Sequence, residues 1–153
     1  MPSTSCGFPD VPGGASGAVL LAFNGPTILV DIGFDPGFKV GVGKTPVPGI
    51  TAVRALVDTG ASESCIDSLL ATQLNLPVVD RRQICGSAGS HEVNIHLAQV
   101  CFPSLGFLQN GTFAGVHLAQ GGQQHQALIG RTFLRHFTMT YEGRSGAVTL
   151  SSD

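Results

Sequence analysis

The chain has 153 residues and a formal net charge of −2, with 42% apolar and 12% charged residues. This length fits one domain with a buried core. The sequence carries no basic stripe, so no nucleic-acid partner is expected. The longest apolar run near the start, Ala18–Phe23, is too short to span a membrane, and no Lys or Arg precedes it as in a signal peptide. We therefore expect a soluble, cytoplasmic protein without membrane contact.

The first 25 residues are rich in Gly, Ser and Pro. They are expected to form a flexible N-terminal arm, in which Ala18–Phe23 is an edge strand or a contact of the arm. Residues 26–153 are then the folded domain. The β-branched segment Pro26–Phe34 predicts a strand, and a Gly/Pro-rich loop follows it, with a short strand around Phe38–Val42 left open.

The second strong strand is Ile50–Val57, which leads directly into Asp58. The apolar positions of the next segment, Cys65–Leu74, have helical spacing. Ser62 or Ser64 is the expected cap of this helix.

The remainder of the chain predicts mostly strands joined by turns. They are expected at about 78–85, 91–102, 112–119, 127–130, 137–142 and 146–150. The turn Gly86–Gly89 makes a long hairpin of residues 80–100, and the segment Arg131–Phe137 indicates one or two helical turns. The fold class is therefore all-β with one or two short helices.

Asp58, Thr59 and Gly60 stand at the end of an apolar strand, and the small residues Ala61 and Ser62 follow them. Two carboxyl groups that share one proton can act as general base and general acid at once. Gly60 allows close approach of the backbone, and the small residues leave space beside the carboxylate. The pattern favours a groove for a substrate next to Asp58.

The segments "ALVDTGAS" and, about seventy residues later, "ALIGRTFL" together resemble the retropepsin-like aspartic proteases, from about Pro26 to Leu150. The resemblance implies the closed acid-protease β fold and hydrolysis of peptide bonds in extended polypeptide by an activated water. It implies no metal and no cofactor. Because the chain has one D-T-G motif and two carboxyls are needed, a C2 homodimer with Asp58 from each chain is expected.

The resemblance also assigns roles to individual residues. Asp58 would supply half of the catalytic pair, Thr59 a bond across the dimer, and Gly60 a contact to substrate backbone. Substrate would lie beside Ala61 and Ser62 and under a flap. The flap tip would be Gly86, Ser87, Ala88 and Gly89, and the catalytic loop would be supported by Leu128, Ile129, Gly130 and Arg131.

Two features depart from the retroviral pattern. Retroviral members usually carry an acidic residue where this chain has Ser62, so Arg131 needs another partner, either Glu63 or a backbone carbonyl. The C-terminal segment is also longer, so the dimer sheet is expected to involve the hairpin around Gly143. The groove walls expected from sequence are apolar and predict apolar side chains beside the scissile bond: Val57, Ala61, Ile84, Ala88, Leu128 and Ile129.

Other functions were weighed against a protease. A dimeric peptide-binding module of the same fold, or a protease that processes only its own precursor, remains an alternative. The segment Gly60–Ser64 nearly matches a serine-hydrolase elbow, but the parallel sheet that this motif requires is not predicted. The five histidines and four cysteines lack metal-ligand spacing, and we expect the cysteines to be reduced.

Overall fold

The computed structural model describes residues 2–37, 45–86 and 89–152. Strands dominate this part of the chain, and the α-helices in it are short. The strands are Ser3–Ser5 (β1), Thr27–Gly33 (β2), Pro48–Val57 (β3), Cys65–Asp67 (β4), Val78–Gly86 (β5), Gly89–Phe102 (β6), Phe107–Val116 (β7), Ala127–Ile129 (β8), Thr138–Glu142 (β9) and Ala147–Ser151 (β10). The helices are Gly17–Asn24 (α1), Ser68–Gln73 (α2) and Arg131–Leu134 (α3). The predicted all-β class is confirmed, and the described residues contain three short α-helices where one or two were expected.

Seven strands form the main sheet, in the order β2-β3-β8-β4-β7-β6-β5. The sheet curls back on itself because β2 also pairs with β6, through Asp31–Gly33 and Gln99–Cys101. Apolar side chains on the inner faces of these strands are fully buried, among them Val30, Ile32 and Val100. The core therefore lies inside a nearly closed sheet.

The short strand β8 occupies the centre of this sheet. It runs parallel to β3 and antiparallel to β4, the strands that precede and follow the Asp58 loop. The chain from β3 to β4 therefore passes around the end of β8. This arrangement brings the two sequence segments that carry the family resemblance side by side.

Residues 2–25 are attached to the rest of the domain, in contrast to the expected flexible arm. β1 pairs with β10 in a second sheet of order β1-β10-β9, and the Cys6 amide donates to the Val148 carbonyl at 2.8 Å. Ala18–Phe23 is not an edge strand but lies within α1. Ser16 caps this helix by accepting from the Val19 amide, and Gly25 ends it with φ +72°. A serine before an Ala- and Leu-rich run and a glycine after it are the local signals that favour helix.

The predicted helix from Cys65 is also corrected. Cys65–Asp67 is strand β4, because it pairs with both β7 and β8. The helix begins at Ser68, and its cap is Asp67, whose carboxylate accepts from the Leu70 amide at 3.3 Å. Neither serine expected as a cap has that role.

The long hairpin is confirmed, since β5 and β6 pair from Val78 to Gly86. β7 begins at Phe107, earlier than expected, because a 3-10 turn at Pro103–Leu105 and Gly106 with φ +60° reverse the chain immediately after β6. The strand left open around Phe38–Val42 lies outside the described residues.

Candidate active site

Asp58 is the first residue after β3 and is half-buried. Its amide donates to the Ile129 carbonyl of β8 at 2.9 Å, which fixes the start of the loop to the centre of the sheet. Its carboxylate accepts from the Gly60 amide at 3.0 Å. A Cβ at Gly60 would be 3.2 Å from the same carboxylate oxygen, so glycine leaves room for this contact. The fold thus holds the Asp58 carboxylate in one orientation.

The loop after Asp58 is bonded to the segment that follows β8. The Arg131 amide donates to the Ala61 carbonyl at 2.9 Å, and the Thr132 amide donates to the Ser62 carbonyl at 3.3 Å. Ile129, expected to support this loop, is fully buried, while Leu128 is partly exposed. The loop is therefore held by main-chain bonds along its length and not only at its ends.

Gly130 packs against the underside of the loop so closely that a side chain has no space there. A Cβ at this position would be 2.5 Å from the Glu63 carbonyl oxygen and 2.9 Å from that of Ala61. A carbon atom cannot approach a carbonyl oxygen this closely, so any other residue would displace the loop.

Ser64 is a supporting residue that sequence reasoning missed. Its side chain is fully buried, and its hydroxyl oxygen accepts from the Gly130 amide at 2.9 Å. The same oxygen lies 3.0 Å from the Thr132 hydroxyl. The available signal was a small hydroxyl residue immediately before a buried strand, which we had interpreted as a helix cap. Ser64 satisfies an amide that the closed packing around Gly130 cuts off from water.

Arg131 was expected to bond to Glu63 or to a backbone carbonyl, and it bonds to a backbone carbonyl. Its guanidinium donates to the Thr59 carbonyl at 2.7 Å. Glu63 instead bonds to Arg82 of β5. Thr59 itself is exposed at the tip of the loop.

A cleft of about 780 Å³ lies beside the carboxylate, between the loop and β5. Its lining is Asp58, Gly60, Ala61, Ser62, Glu63, Cys65, Arg82, Gln83, Ile84, Cys85 and Leu128. Of the apolar walls expected from sequence, Ala61, Ile84 and Leu128 line the cleft. Val57 and Ile129 do not, because both side chains are buried in the core behind it. The charged and polar members were not foreseen.

The hairpin expected to act as a flap borders this cleft through Arg82, Gln83, Ile84 and Cys85 of β5. Gly86 and Gly89 end its two strands and face each other across the pair. Ser87 and Ala88 lie outside the described residues. β5 thus contributes a wall of the cleft.

The lining of the cleft contains three charged side chains, Asp58, Glu63 and Arg82. The Arg82 guanidinium bonds to Glu63 and also donates to Asp80 at 3.1 Å. The bond from Arg82 lowers the pKa of the Asp80 carboxyl. Burial raises the pKa of the Cys65 thiol to about 11, and the charges of Glu63 and Asp58 add to this. Cys65 is therefore an uncharged thiol near neutral pH.

Within residues 2–37, 45–86 and 89–152, no three His, Cys, Asp or Glu side chains are grouped so that they could hold a metal ion. None of the helices in these ranges is long and apolar enough to cross a membrane.

Comparisons with known proteins show which family the chain belongs to. EIAV protease, in a solved structure of its complex with the inhibitor HBY-793, is similar over 72% of this chain and 85% of that chain, with 18% identity and a TM-score of 0.44. A search of curated proteins found no match. A family model described as gag-polyprotein putative aspartyl protease matches residues 47–136, which is more than half of the chain and includes both segments around Asp58 and Gly130. The predicted resemblance is thereby confirmed: the chain belongs to this family of retroviral-type aspartic proteases.

Proposed function

We propose that the protein is an aspartic endopeptidase whose active unit is a C2 homodimer with one Asp58 from each chain. The observation that carries this proposal is the half-buried Asp58 carboxylate, held by the Gly60 amide at the edge of a cleft large enough for peptide side chains. Membership of the family supports it.

Catalysis would use a water molecule held between the two Asp58 carboxyls. One Asp58 carboxylate takes a proton from the water as the water oxygen attacks the peptide carbonyl carbon. The other Asp58 carboxyl donates its proton to the carbonyl oxygen. In the resulting tetrahedral diol, the carboxyl that took the water proton gives it to the leaving nitrogen as the C–N bond breaks. The other carboxylate takes a proton from a diol hydroxyl as the new carbonyl forms, which restores the pair. The Gly60 bond keeps one carboxylate oxygen oriented throughout, so little reorganisation is needed.

The number of free carboxyls in the cleft of one chain supports a dimer. Asp58 and Glu63 are the carboxylates that line the cleft, and Glu63 is bonded to Arg82. A second free carboxyl must then come from another chain. Thr59 is exposed at the loop tip, and it would bond across the two-fold axis of that dimer.

The substrate would be an extended peptide lying along the cleft as an added strand. Ala61, Ile84 and Leu128 offer an apolar surface to side chains beside the scissile bond. The turn made by Gly86, Ser87, Ala88 and Gly89 would close over the peptide and exclude water.

The test compares wild-type protein with Asp58→Asn. Each is incubated with an unfolded protein at pH values from about 3.5 to 7.5, and the products are identified by mass spectrometry. Cleavage by the wild type alone is expected. If neither protein cleaves while both are folded dimers, the proposal is wrong and a peptide-binding module is favoured. Equal cleavage by both would remove Asp58 from the mechanism.

A further inference from the structure

Helix α1 presents an apolar face to solvent. Phe23 is 85% exposed and Val19 is 45% exposed, and Ala22 is exposed beside them. These positions are three and four residues apart, so they lie on one face of the helix, opposite the buried Leu21. We refer to Val19, Ala22 and Phe23 as the α1 face. Large apolar side chains exposed as a group are typical of a surface that another molecule covers.

The chain around the α1 face carries no charge. No Asp, Glu, Lys, Arg or His occurs from Val11 to Val30. Helices that lie on membranes usually carry Lys and Arg on their polar face, so a lipid surface is disfavoured as the occupant. A partner that recognises the face by charge is disfavoured for the same reason. The fitting complement is therefore an apolar protein surface.

Helix α1 is fixed to the domain at both of its ends. At its start, the Gly17 amide donates to the Asp10 carboxylate at 2.7 Å, and a Cβ at Gly17 would be 2.8 Å from the Ser145 carbonyl oxygen. At its end, the Asn24 side-chain oxygen accepts from the Gln124 side chain at 2.9 Å. A face held in place in this way loses little conformational entropy when a partner binds.

The end of α1 also lies next to the strand that carries Asp58. The Val57 amide donates to the Pro26 carbonyl at 2.8 Å, and Asp58 follows Val57. Phe23 precedes Pro26 by three residues, a segment of at most ~11 Å, so it lies within about 20 Å of Asp58. Interfaces of obligate homodimers cover about 1,000–2,500 Å² per partner and therefore extend roughly 18–28 Å from their centre. An interface centred on the two Asp58 side chains is thus large enough to include the α1 face.

We propose that the α1 face is part of the homodimer interface and is covered by the second copy of the chain, with Phe23 as its main anchor. This inference rests on the proposed function, because that function requires two Asp58 side chains at one two-fold axis. A two-fold interface uses the same surface of both copies, so each dimer buries two Phe23 side chains. Large aromatic side chains supply much of the binding energy in such interfaces.

Phe23→Ser tests the proposal, and Leu69→Ser is its matched control. Leu69 is a 51% exposed apolar side chain on α2, outside the α1 face. The dimer Kd of the wild type and of each variant is measured by sedimentation equilibrium over a range of concentrations. Circular dichroism reports whether each variant is folded. Because Phe23 is so exposed in the single chain, its replacement should leave the fold of that chain intact.

We expect Phe23→Ser to raise the dimer Kd about a hundred-fold, since each of the two buried phenylalanines is worth about ten-fold or more. Phe23→Leu keeps an apolar side chain and should have an intermediate Kd. Leu69→Ser should change the Kd by less than about two-fold. Two Phe23→Ser copies joined by a flexible Gly/Ser linker should cleave peptide at dilutions where the unlinked variant does not, because the linker supplies a high effective concentration.

Three results would count against the proposal. An unchanged dimer Kd in Phe23→Ser would refute the role of the α1 face and leave the protease proposal intact. If the Kd is unchanged and Phe23→Ser instead abolishes sedimentation with phosphatidylcholine vesicles, the α1 face binds lipid and not a second copy. A wild-type chain that stays monomeric at every concentration and cleaves no peptide would contradict both this inference and the proposed function.

Discussion

Replacing Ser64 with alanine tests the support beneath the catalytic loop. The hydroxyl of Ser64 is the hydrogen-bond acceptor for the buried Gly130 amide at 2.9 Å, and it also contacts the Thr132 hydroxyl. Alanine leaves that amide without a partner in a place closed to water. A buried unsatisfied amide costs about 1–3 kcal/mol, so we expect the free energy of unfolding to fall by about 2 kcal/mol.

Urea unfolding followed by circular dichroism is the suitable assay, because the chain has no Trp and a single Tyr. All variants are compared at one protein concentration, since a dimer makes apparent stability concentration-dependent. The same change lowers Tm by about 4–8 °C for a domain of this size. Thr132→Val keeps the bond to the Gly130 amide, so it should cost only about 1 kcal/mol.

Ser62→Ala is the matched control. Ser62 is exposed, and its recorded bond uses the main-chain carbonyl, which alanine retains. We expect its stability to lie within about 0.5 kcal/mol of the wild type. If Ser64→Ala proves equally harmless while remaining folded, the Gly130 amide does not depend on Ser64 and our account of the loop is incorrect.

Two other predictions concern titrating groups. His125 is buried beside Thr27, and burial together with the charge of Arg54 lowers its pKa below the ordinary 6.5. The unfolded chain then binds the proton more readily, so the free energy of unfolding should fall as pH drops through about 6.5 and level off below the folded-state pKa. His125→Gln should flatten this slope, and the exposed His91→Gln should not. An unchanged slope in His125→Gln would show that His125 is not the group responsible. The exposed Cys85 should react with N-ethylmaleimide at pH about 7.5 well before Cys65, whose pKa is about 11; equal rates measured by peptide mass spectrometry would show that Cys65 is not protected.

Local patterns predicted the parts of the site that depend on neighbours in sequence. The apolar strand ending at Asp58 and the glycine at position 130 both have local signatures, and the structure places them side by side. The helix α1 also has local signals, in Ser16 and Gly25, although the apolar run between them is expected from sequence to be an edge strand or a contact of the arm.

Contacts between distant segments could not be read from such patterns. Ser64 acts on an amide 66 residues away, so its role appears only once β8 lies beside the loop. Arg82 of β5 bonds to Glu63 of the loop, 19 residues earlier in the chain. Sequence alone could not show this bond, so it could not decide between Glu63 and a backbone carbonyl as the partner of Arg131. Sequence reasoning therefore found the carboxylate and missed the charges that surround the cleft.

The requirement for two Asp58 carboxyls is the central claim, and a linked dimer tests it most directly. Two copies of the chain are joined by a flexible Gly/Ser linker, with Asp58→Asn in neither copy, in one copy or in both, and peptide cleavage is measured per molecule at several dilutions. We predict that the wild-type pair is active and that one substitution lowers activity at least about a hundred-fold, as loss of an acid–base group does. Half of the wild-type activity in the singly substituted pair would mean that each chain works alone, and it would contradict the account.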